Sequence, residues 1–169
     1  IGTGFVTTAM KAGKASQAAE DAAIEAMRTL NMVASTAASA VNATAVTDIT
    51  GFGLAGHARE LAMASGVTLN LKMSDIPQLP EALDYCRKRL VTRASASNRD
   101  ANENDVDANA ADDDLVELLY DPQTSGGLLI SVSEDRVDAM LVQMEDGGCD
   151  GAVVVGHVSA HKKVSIVAS

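Results

Sequence analysis

The chain has 169 residues, of which 47% are apolar and only 2% aromatic, and it carries a formal net charge of −10. The acidic balance argues against nucleic acid or an anionic membrane as a partner, because phosphates are bound by clustered Lys and Arg. No apolar run approaches the roughly 20 residues that a membrane-spanning helix needs.

The length favours one domain with a single hydrophobic core, and the abundant Ala favours closely packed helices. Cys86 and Cys149 belong to no CxxC pair and predict free thiols in a reducing compartment, which makes the cytoplasm the expected location. The opening Ile1-Gly2-Thr3-Gly4 has no initiator Met, so we expect the chain to be a piece of a longer protein.

The first half of the chain predicts helices and two short strands. Ser16 is a candidate cap for a long Ala-rich helical segment, which Asn31 divides in two. Further elements are a helix over 3–13, a strand over 43–47 that leads into Asp48, a helix over 53–65 ended by Gly66, a strand over 67–73 and a helix from Pro80 to near Leu90.

Residues 91–111 are rich in Ser, Asn, Asp and Ala and show little periodicity. This composition predicts a mobile acidic loop. An EF-hand is disfavoured, since the stretch lacks the glycine and the terminal glutamate of that calcium loop.

The second half of the chain predicts two helices and three strands. Asp112 and Ser133 are candidate helix caps, and LLISV at 128–132 reads as a strand. The final strands, Ala152–Val158 and Val164–Ala168, are expected to form a hairpin around a turn at 160–163. The element order predicts an α+β domain with a helix-flanked mixed sheet.

Asp48 stands where an apolar strand meets a glycine turn and a helix start, in TDITGFGLAGH (47–57). The glycines Gly51 and Gly53 let the backbone approach a ligand, and the first amides of a helix attract phosphate. A carboxylate beside a phosphate needs a hard cation such as Mg²⁺ between them, which suggests a metal-phosphate site. The alternative is that Asp48 only caps the next helix.

The other candidates favour structural roles. His57 has no second His or Cys at ligand spacing and is expected to be partly buried or on the surface. DPQTSGGLLI (121–130) could form an anion-binding nest at 124–127, but a tight helix-to-strand turn is favoured. The basic residues of CRKR could lower the thiol pKa of Cys86, although an ordinary surface patch explains them better.

Two motifs together resemble the signatures of the selenophosphate synthetase (selenide, water dikinase) family: TDITGFGLAGHARELA (47–62) and DPQTSGGLLISV (121–132). Their order and separation also fit, and IGTGFVTTAMKAG (1–13) is similar to the family segment that follows the N-terminal domain. The resemblance covers nearly the whole chain, residues 1–169.

The resemblance implies the C-terminal domain of a two-domain enzyme in the aminoimidazole ribonucleotide synthetase superfamily, with a layered α/β/α mixed sheet. Such enzymes make selenophosphate from selenide, ATP and water, releasing AMP and phosphate, and use Mg²⁺. The resemblance makes Asp48 a Mg²⁺ ligand and puts Thr47, Thr50 and Gly51 on the phosphate side.

The resemblance also implies what this chain lacks. The catalytic Cys or selenocysteine, the catalytic Lys and most of the ATP site belong to the N-terminal domain, so this chain holds no catalytic residue and is expected to be inactive alone. Family members usually form homodimers, mainly through that domain.

The sequence departs from the family pattern at SASNRDAN (95–102), where the family often has two glycines and then Arg-Asn. Arg99 matches the Arg, but Asp100 replaces the Asn, so a phosphate or selenide contact by Arg99 is left open. Two alternative functions are a related ATP-dependent synthetase and a non-catalytic selenium-delivery or protein-binding module.

Overall fold

Eight helices and six short strands make up the computed structural model, which describes residues 1–169. The helices are α1 (Thr3–Lys11), α2 (Gln17–Arg28), α3 (Met32–Ala40), α4 (Gly53–Ser65), α5 (Ala82–Arg87), α6 (Arg93–Asn102), α7 (Asp113–Tyr120) and α8 (Val137–Asp146). The strands are β1 (Ala45–Asp48), β2 (Val67–Leu71), β3 (Val106–Asp107), β4 (Leu128–Ser131), β5 (Gly156–Ala160) and β6 (Ile166–Ala168).

The strands form two sheets. β1 and β4 make an antiparallel ribbon, and the other four strands form a mixed sheet in the order β3-β6-β2-β5. Within the larger sheet β2 is antiparallel to β5 and parallel to β6. The predicted α+β class, with helices packed against a mixed sheet, is confirmed.

Several helix ends were predicted correctly from local sequence signals. The Ser16 hydroxyl accepts a hydrogen bond from the Ala19 amide at 3.1 Å, and the Asp112 carboxylate accepts from the first amides of α7. α4 begins and ends where predicted, with Gly66 in the left-handed conformation at φ 64°. The break near Asn31 is confirmed, since α2 ends at Arg28 and α3 starts at Met32.

The predicted hairpin between the last two strands is wrong. β5 and β6 lie on opposite edges of β2, so residues 161–165 cross from one edge to the other. The fully buried Thr68 hydroxyl fixes this crossing, because it donates to the Val164 carbonyl at 2.7 Å and accepts from the Lys162 amide at 2.8 Å.

The loop predicted over residues 91–111 is also wrong for most of its length. Residues 93–102 form α6, a 3₁₀ turn follows, and 106–107 add strand β3 to the sheet edge. The Thr92 hydroxyl caps the helix by accepting from the Ser95 amide at 3.1 Å. The pattern was missed because α6 buries Ser95, Asn98 and Asn102 rather than apolar side chains.

The apolar side chains gather in three clusters. The largest lies between α4, α7 and the sheet strands β2 and β6. The second joins α1, α2 and α5, where fully buried Ala19 and Ala23 allow close packing around Phe5. The third lies between α3 and α8. The largest cluster holds the start of α4, and therefore the glycine turn before it, against α7.

Candidate functional site at the end of strand β1

The carboxylate of Asp48 is exposed at the last residue of β1. No side-chain or main-chain donor bonds it; the only side-chain hydrogen bond at this residue runs from the Thr47 hydroxyl to the Asp48 main-chain oxygen. The residue before α4 is Phe52, and no side chain caps that helix. The capping alternative for Asp48 is therefore contradicted, and its carboxylate is open to a ligand.

The turn after Asp48 is held by its main chain. The Thr50 carbonyl accepts from the amides of Gly53 at 3.0 Å and Gln123 at 3.1 Å. Gly53 has φ +71°, and a Cβ there would lie 2.7 Å from the Leu119 carbonyl oxygen, so only glycine fits. Gly51, by contrast, is exposed and has no heavy atom within 4 Å of a Cβ position. The turn is fixed at Gly53 and open at Gly51.

The side chain of Thr50 is held from α4. Its hydroxyl lies 3.1 Å from His57 Nε2, and His57 is only 8% exposed. The Phe52 ring, itself 58% exposed, stacks on the imidazole with ring centres 5.4 Å apart. His57 is thus a buried partner of the turn, in line with the structural role expected from its sequence context.

The second signature motif forms the neighbouring turn. The Ile49 amide donates to the Gly127 carbonyl at 3.0 Å, and the Gly126 amide donates to the Ile49 carbonyl at 2.8 Å. Asp48 itself pairs with Leu128 across the β1–β4 ribbon. The Gly126 amide is therefore already used within the fold, which favours the tight turn over the anion nest.

Gln123 joins the third motif, at residues 1–13, to this turn. Its side-chain oxygen accepts from the Gly2 amide at 3.0 Å, the Thr3 amide at 3.2 Å and the Thr3 hydroxyl at 2.9 Å. The Gln123 main-chain amide meanwhile donates to Thr50. The sequence did not single out Gln123, because these bonds join segments about 120 residues apart.

Asp121, in the second motif, is fully buried. Its Oδ2 accepts from the Gly4 amide and from Gln123 Nε2, both at 2.9 Å, whereas Oδ1 has no partner. Burial raises the pKa of Asp121 to about 7, against the smaller lowering effect of the Gly4 and Gln123 hydrogen bonds. This carboxyl caps the start of α1 and faces no cleft.

Arg99, the residue matched to the family Arg, is engaged within the fold. Its guanidinium pairs with Glu117 at 2.7 Å and lies over the Tyr120 ring at 4.5 Å. The preceding residue, Asn98, is the one that reaches the glycine turn, donating to the Gly51 carbonyl at 2.9 Å and to the Tyr120 carbonyl at 3.0 Å.

Two other sequence candidates do not contribute to this site. Burial, followed by the charge of Glu117, raises the thiol pKa of Cys86 to about 11, so its basic neighbours do not activate it. No group of three or more His, Cys, Asp or Glu side chains could hold a metal ion. The chain therefore offers one free carboxylate beside an open turn, and not a complete metal site.

Comparison with known proteins supplies the family. Residues 1–169 match the protein family described as "AIR synthase related protein, C-terminal domain". The chain belongs to this family. The domain's relatives include "Selenide, water dikinase 2" of Peptoclostridium acidaminophilum, 39% identical over 99% of this chain and 48% of the relative. The "Selenide, water dikinase" of Pelobacter propionicus is 38% identical over 94% and 46%, respectively.

These relatives confirm the predicted resemblance to selenophosphate synthetases. A third, the "Selenide, water dikinase" of Geobacter metallireducens, is 38% identical over 99% of this chain. The chain spans about half the length of the relatives it matches. None of its helices has the length and apolar character needed to cross a membrane.

Proposed function

We propose that this chain is the C-terminal domain of a two-domain selenophosphate synthetase. The whole enzyme makes selenophosphate from selenide, ATP and water and releases AMP and phosphate. It works in the cytoplasm as a homodimer, and the N-terminal domain supplies the catalytic residues and most of the ATP site. The three signature motifs, which meet around Gln123 and β1, and the names of the relatives support this proposal.

The observation that carries the proposal is the free carboxylate of Asp48 at the end of β1. Mg²⁺ prefers one or two carboxylates together with substrate phosphates, and it dehydrates reluctantly. A lone exposed carboxylate beside an open turn could supply one ligand of such a magnesium site, and the remaining ligands would come from ATP and the other domain. When bound, Mg²⁺ neutralises charge on the polyphosphate.

The chain's own residues then have separate tasks. Asp48 would hold the cation, and Thr47, Thr50 and Gly51 would lie on the phosphate side of the turn. The bond between the Thr50 hydroxyl and His57 Nε2 fixes that hydroxyl, and the open space at Gly51 lets a phosphate approach the main chain. Because the catalytic residues and most of the ATP site would lie in the N-terminal domain, the isolated chain should form no AMP from ATP and selenide.

The test is Asp48→Asn in the two-domain protein. Selenide-dependent AMP formation should fall by about 100-fold, because a metal ligand stabilises transition-state charge by several kcal/mol. The melting temperature should stay within about 1 °C, since the carboxylate makes no bond to the fold.

Asp150→Asn is the matched control, because Asp150 is another exposed aspartate and lies far along the chain from the turn. It should leave both activity and melting temperature unchanged. A large loss of stability in Asp48→Asn with normal activity would contradict the proposal. Equal turnover with an acceptor other than selenide would favour a related synthetase instead.

A further inference from the structure

Helix α6 occupies the segment that departs from the family pattern, and it packs against the helices beside the glycine turn that follows Asp48. It packs on α4 and α7. Arg99 ties it to Glu117 of α7 at 2.7 Å, and Asp105, just after it, pairs with Arg59 of α4 at 2.5 Å. The helix is therefore fixed to both helices that flank the glycine turn.

Asn98 is the point where α6 touches that turn. Asn98 is only 8% exposed, and its side-chain amide donates to two main-chain oxygens, those of Gly51 at 2.9 Å and Tyr120 at 3.0 Å. Tyr120 ends α7, whereas Gly51 lies in the middle of the exposed turn. One amide group thus joins the open turn to the rigid end of a core helix.

This bond acts where the turn has least other support. Thr50 is held by Gly53, Gln123 and His57, but Gly51 has open space around it. A main-chain segment with few neighbours opens at little cost in free energy. The carbonyl of Gly51 would rotate if the Asn98 donor were removed, and the peptide group that it shares with Phe52 would move with it, while Thr50 stays held by its own bonds.

We propose that Asn98 is a positioning residue, which holds the Gly51 carbonyl and so keeps the turn after Asp48 in the conformation that receives the metal-bound polyphosphate. The inference rests on the proposed function. It assigns to α6 a role in the site through Asn98, and not through a direct phosphate contact by Arg99, whose guanidinium is already paired.

The chain contains a matched control for Asn98. Asn102 lies one turn further along α6, is 7% exposed and donates its side-chain amide to the Asn98 carbonyl at 2.7 Å. It is the same residue type on the same helix, and its side chain makes no bond to the turn. Asn102→Ala therefore removes a comparable buried bond without releasing Gly51.

The first measurement is hydrogen exchange of residues 50–56 in the two-domain protein without Mg²⁺ or nucleotide. Asn98→Ala should speed exchange in this segment by about tenfold, the equivalent of one net hydrogen bond. Asn102→Ala should leave it within about twofold of the parent protein. Equal exchange in the two variants would overturn the proposal.

The second measurement is the Mg²⁺ concentration that gives half the maximal rate of selenide-dependent AMP formation. Asn98→Ala should raise it by about tenfold, excess Mg²⁺ should restore part of the rate, and Asn102→Ala should do neither. If Asn98→Ala does not fold, Asn98→Asp, which has the same size but no N–H donor, is measured in its place and should give the same two results.

The outcomes separate the two proposals. If Asp48→Asn raises the half-maximal Mg²⁺ concentration and Asn98→Ala does not, the proposed function stands and the role of Asn98 is refuted. If neither variant changes the half-maximal Mg²⁺ concentration, the proposed function is refuted, and the positioning role of Asn98 is refuted with it. Faster exchange together with a raised Mg²⁺ requirement in Asn98→Ala supports the proposal.

Discussion

The two signature motifs each contain an aspartate, and the structure gives the two side chains opposite surroundings. Asp48 is exposed at the end of β1, and its carboxylate is bonded to nothing in the chain. Asp121 is fully buried, and its Oδ2 accepts from the start of α1 and from Gln123. The first carboxylate is open to a ligand, whereas the second is built into the fold.

The difference shows that an aspartate in a signature motif can serve the fold and need not take part in binding or catalysis. A buried carboxylate without an ionic partner carries a large desolvation cost and is kept where it satisfies buried donors. An exposed, unbonded carboxylate contributes almost nothing to folding, so replacing it should cost little stability. Substitutions at the two positions should therefore separate loss of stability from loss of activity.

The largest expected effect on stability is at Asp121. Asp121→Ala leaves the Gly4 amide and one of the two N–H donors of the Gln123 side chain without an acceptor in the interior, since the other still bonds the main-chain oxygen of residue 121, and should lower the free energy of unfolding by about 3 kcal/mol. Urea denaturation of the variant measures it. Asp121→Asn keeps one acceptor oxygen and should cost about 1 kcal/mol. Equal costs for Ala and Asn would show that the hydrogen bonds do not stabilise α1.

The pH dependence of the free energy of unfolding tests whether the Asp121 carboxyl is buried as the structure has it. Burial raises the pKa of Asp121 to about 7, while an aspartate in the unfolded chain titrates near 3.9. Between these values the folded state holds a proton that the unfolded state lacks. Stability from this group is therefore complete below about pH 4 and is lost as the pH rises towards 7.

The measurement is the free energy of unfolding at pH 5, 6, 7 and 8, for the parent protein and Asp121→Asn. The difference between them should change by at most ~1.4 kcal/mol per pH unit below pH 7, with the parent protein losing stability as the pH rises, and level off above it. Other titrating groups cancel in this difference. A difference that stays constant from pH 5 to 8 would mean that Asp121 keeps an ordinary pKa.

Alanine substitutions at the two glycines of the turn should have smaller effects on stability, and these effects should differ from each other. Gly53→Ala places a Cβ 2.7 Å from the Leu119 carbonyl at a positive φ, and should destabilise the protein by about 1–3 kcal/mol. Gly51→Ala meets no atom within 4 Å and should change stability by less than about 0.5 kcal/mol, yet lower ATP turnover by crowding the phosphate side. Thermal melts and AMP formation separate the two, and full activity in Gly51→Ala would argue against phosphate contact there.

The parts of the fold that were predictable are those with local signals. Gly66 ends α4 because it adopts a left-handed conformation, and Ser16 and Asp112 start helices by accepting nearby amides. The strand that leads into Asp48 and the helix that starts at Gly53 were also predicted, whereas the exposure of Asp48 was not. Such features depend on residues within a few positions of one another, so a single sequence contains them.

The parts that were missed depend on distant segments. α6 has no apolar stripe, because it is held by Asn98, Arg99 and the cap at Thr92. Gln123 meets Thr3 across about 120 residues, and Asn98 meets Gly51 across 47. Polar side chains that bond to main-chain groups leave no periodic pattern, which is why the composition of residues 93–102 predicted a loop and not helix α6.

The account depends on Asp48 serving a shared metal site and not the fold. The most direct measurement is a Mg²⁺ titration of selenide-dependent AMP formation by the two-domain protein, comparing Asp48→Asn with Asp121→Asn under conditions where both are folded. We predict that Asp48→Asn raises the half-maximal Mg²⁺ concentration by about tenfold or more, whereas Asp121→Asn leaves it unchanged. An unchanged Mg²⁺ requirement in Asp48→Asn would contradict the account.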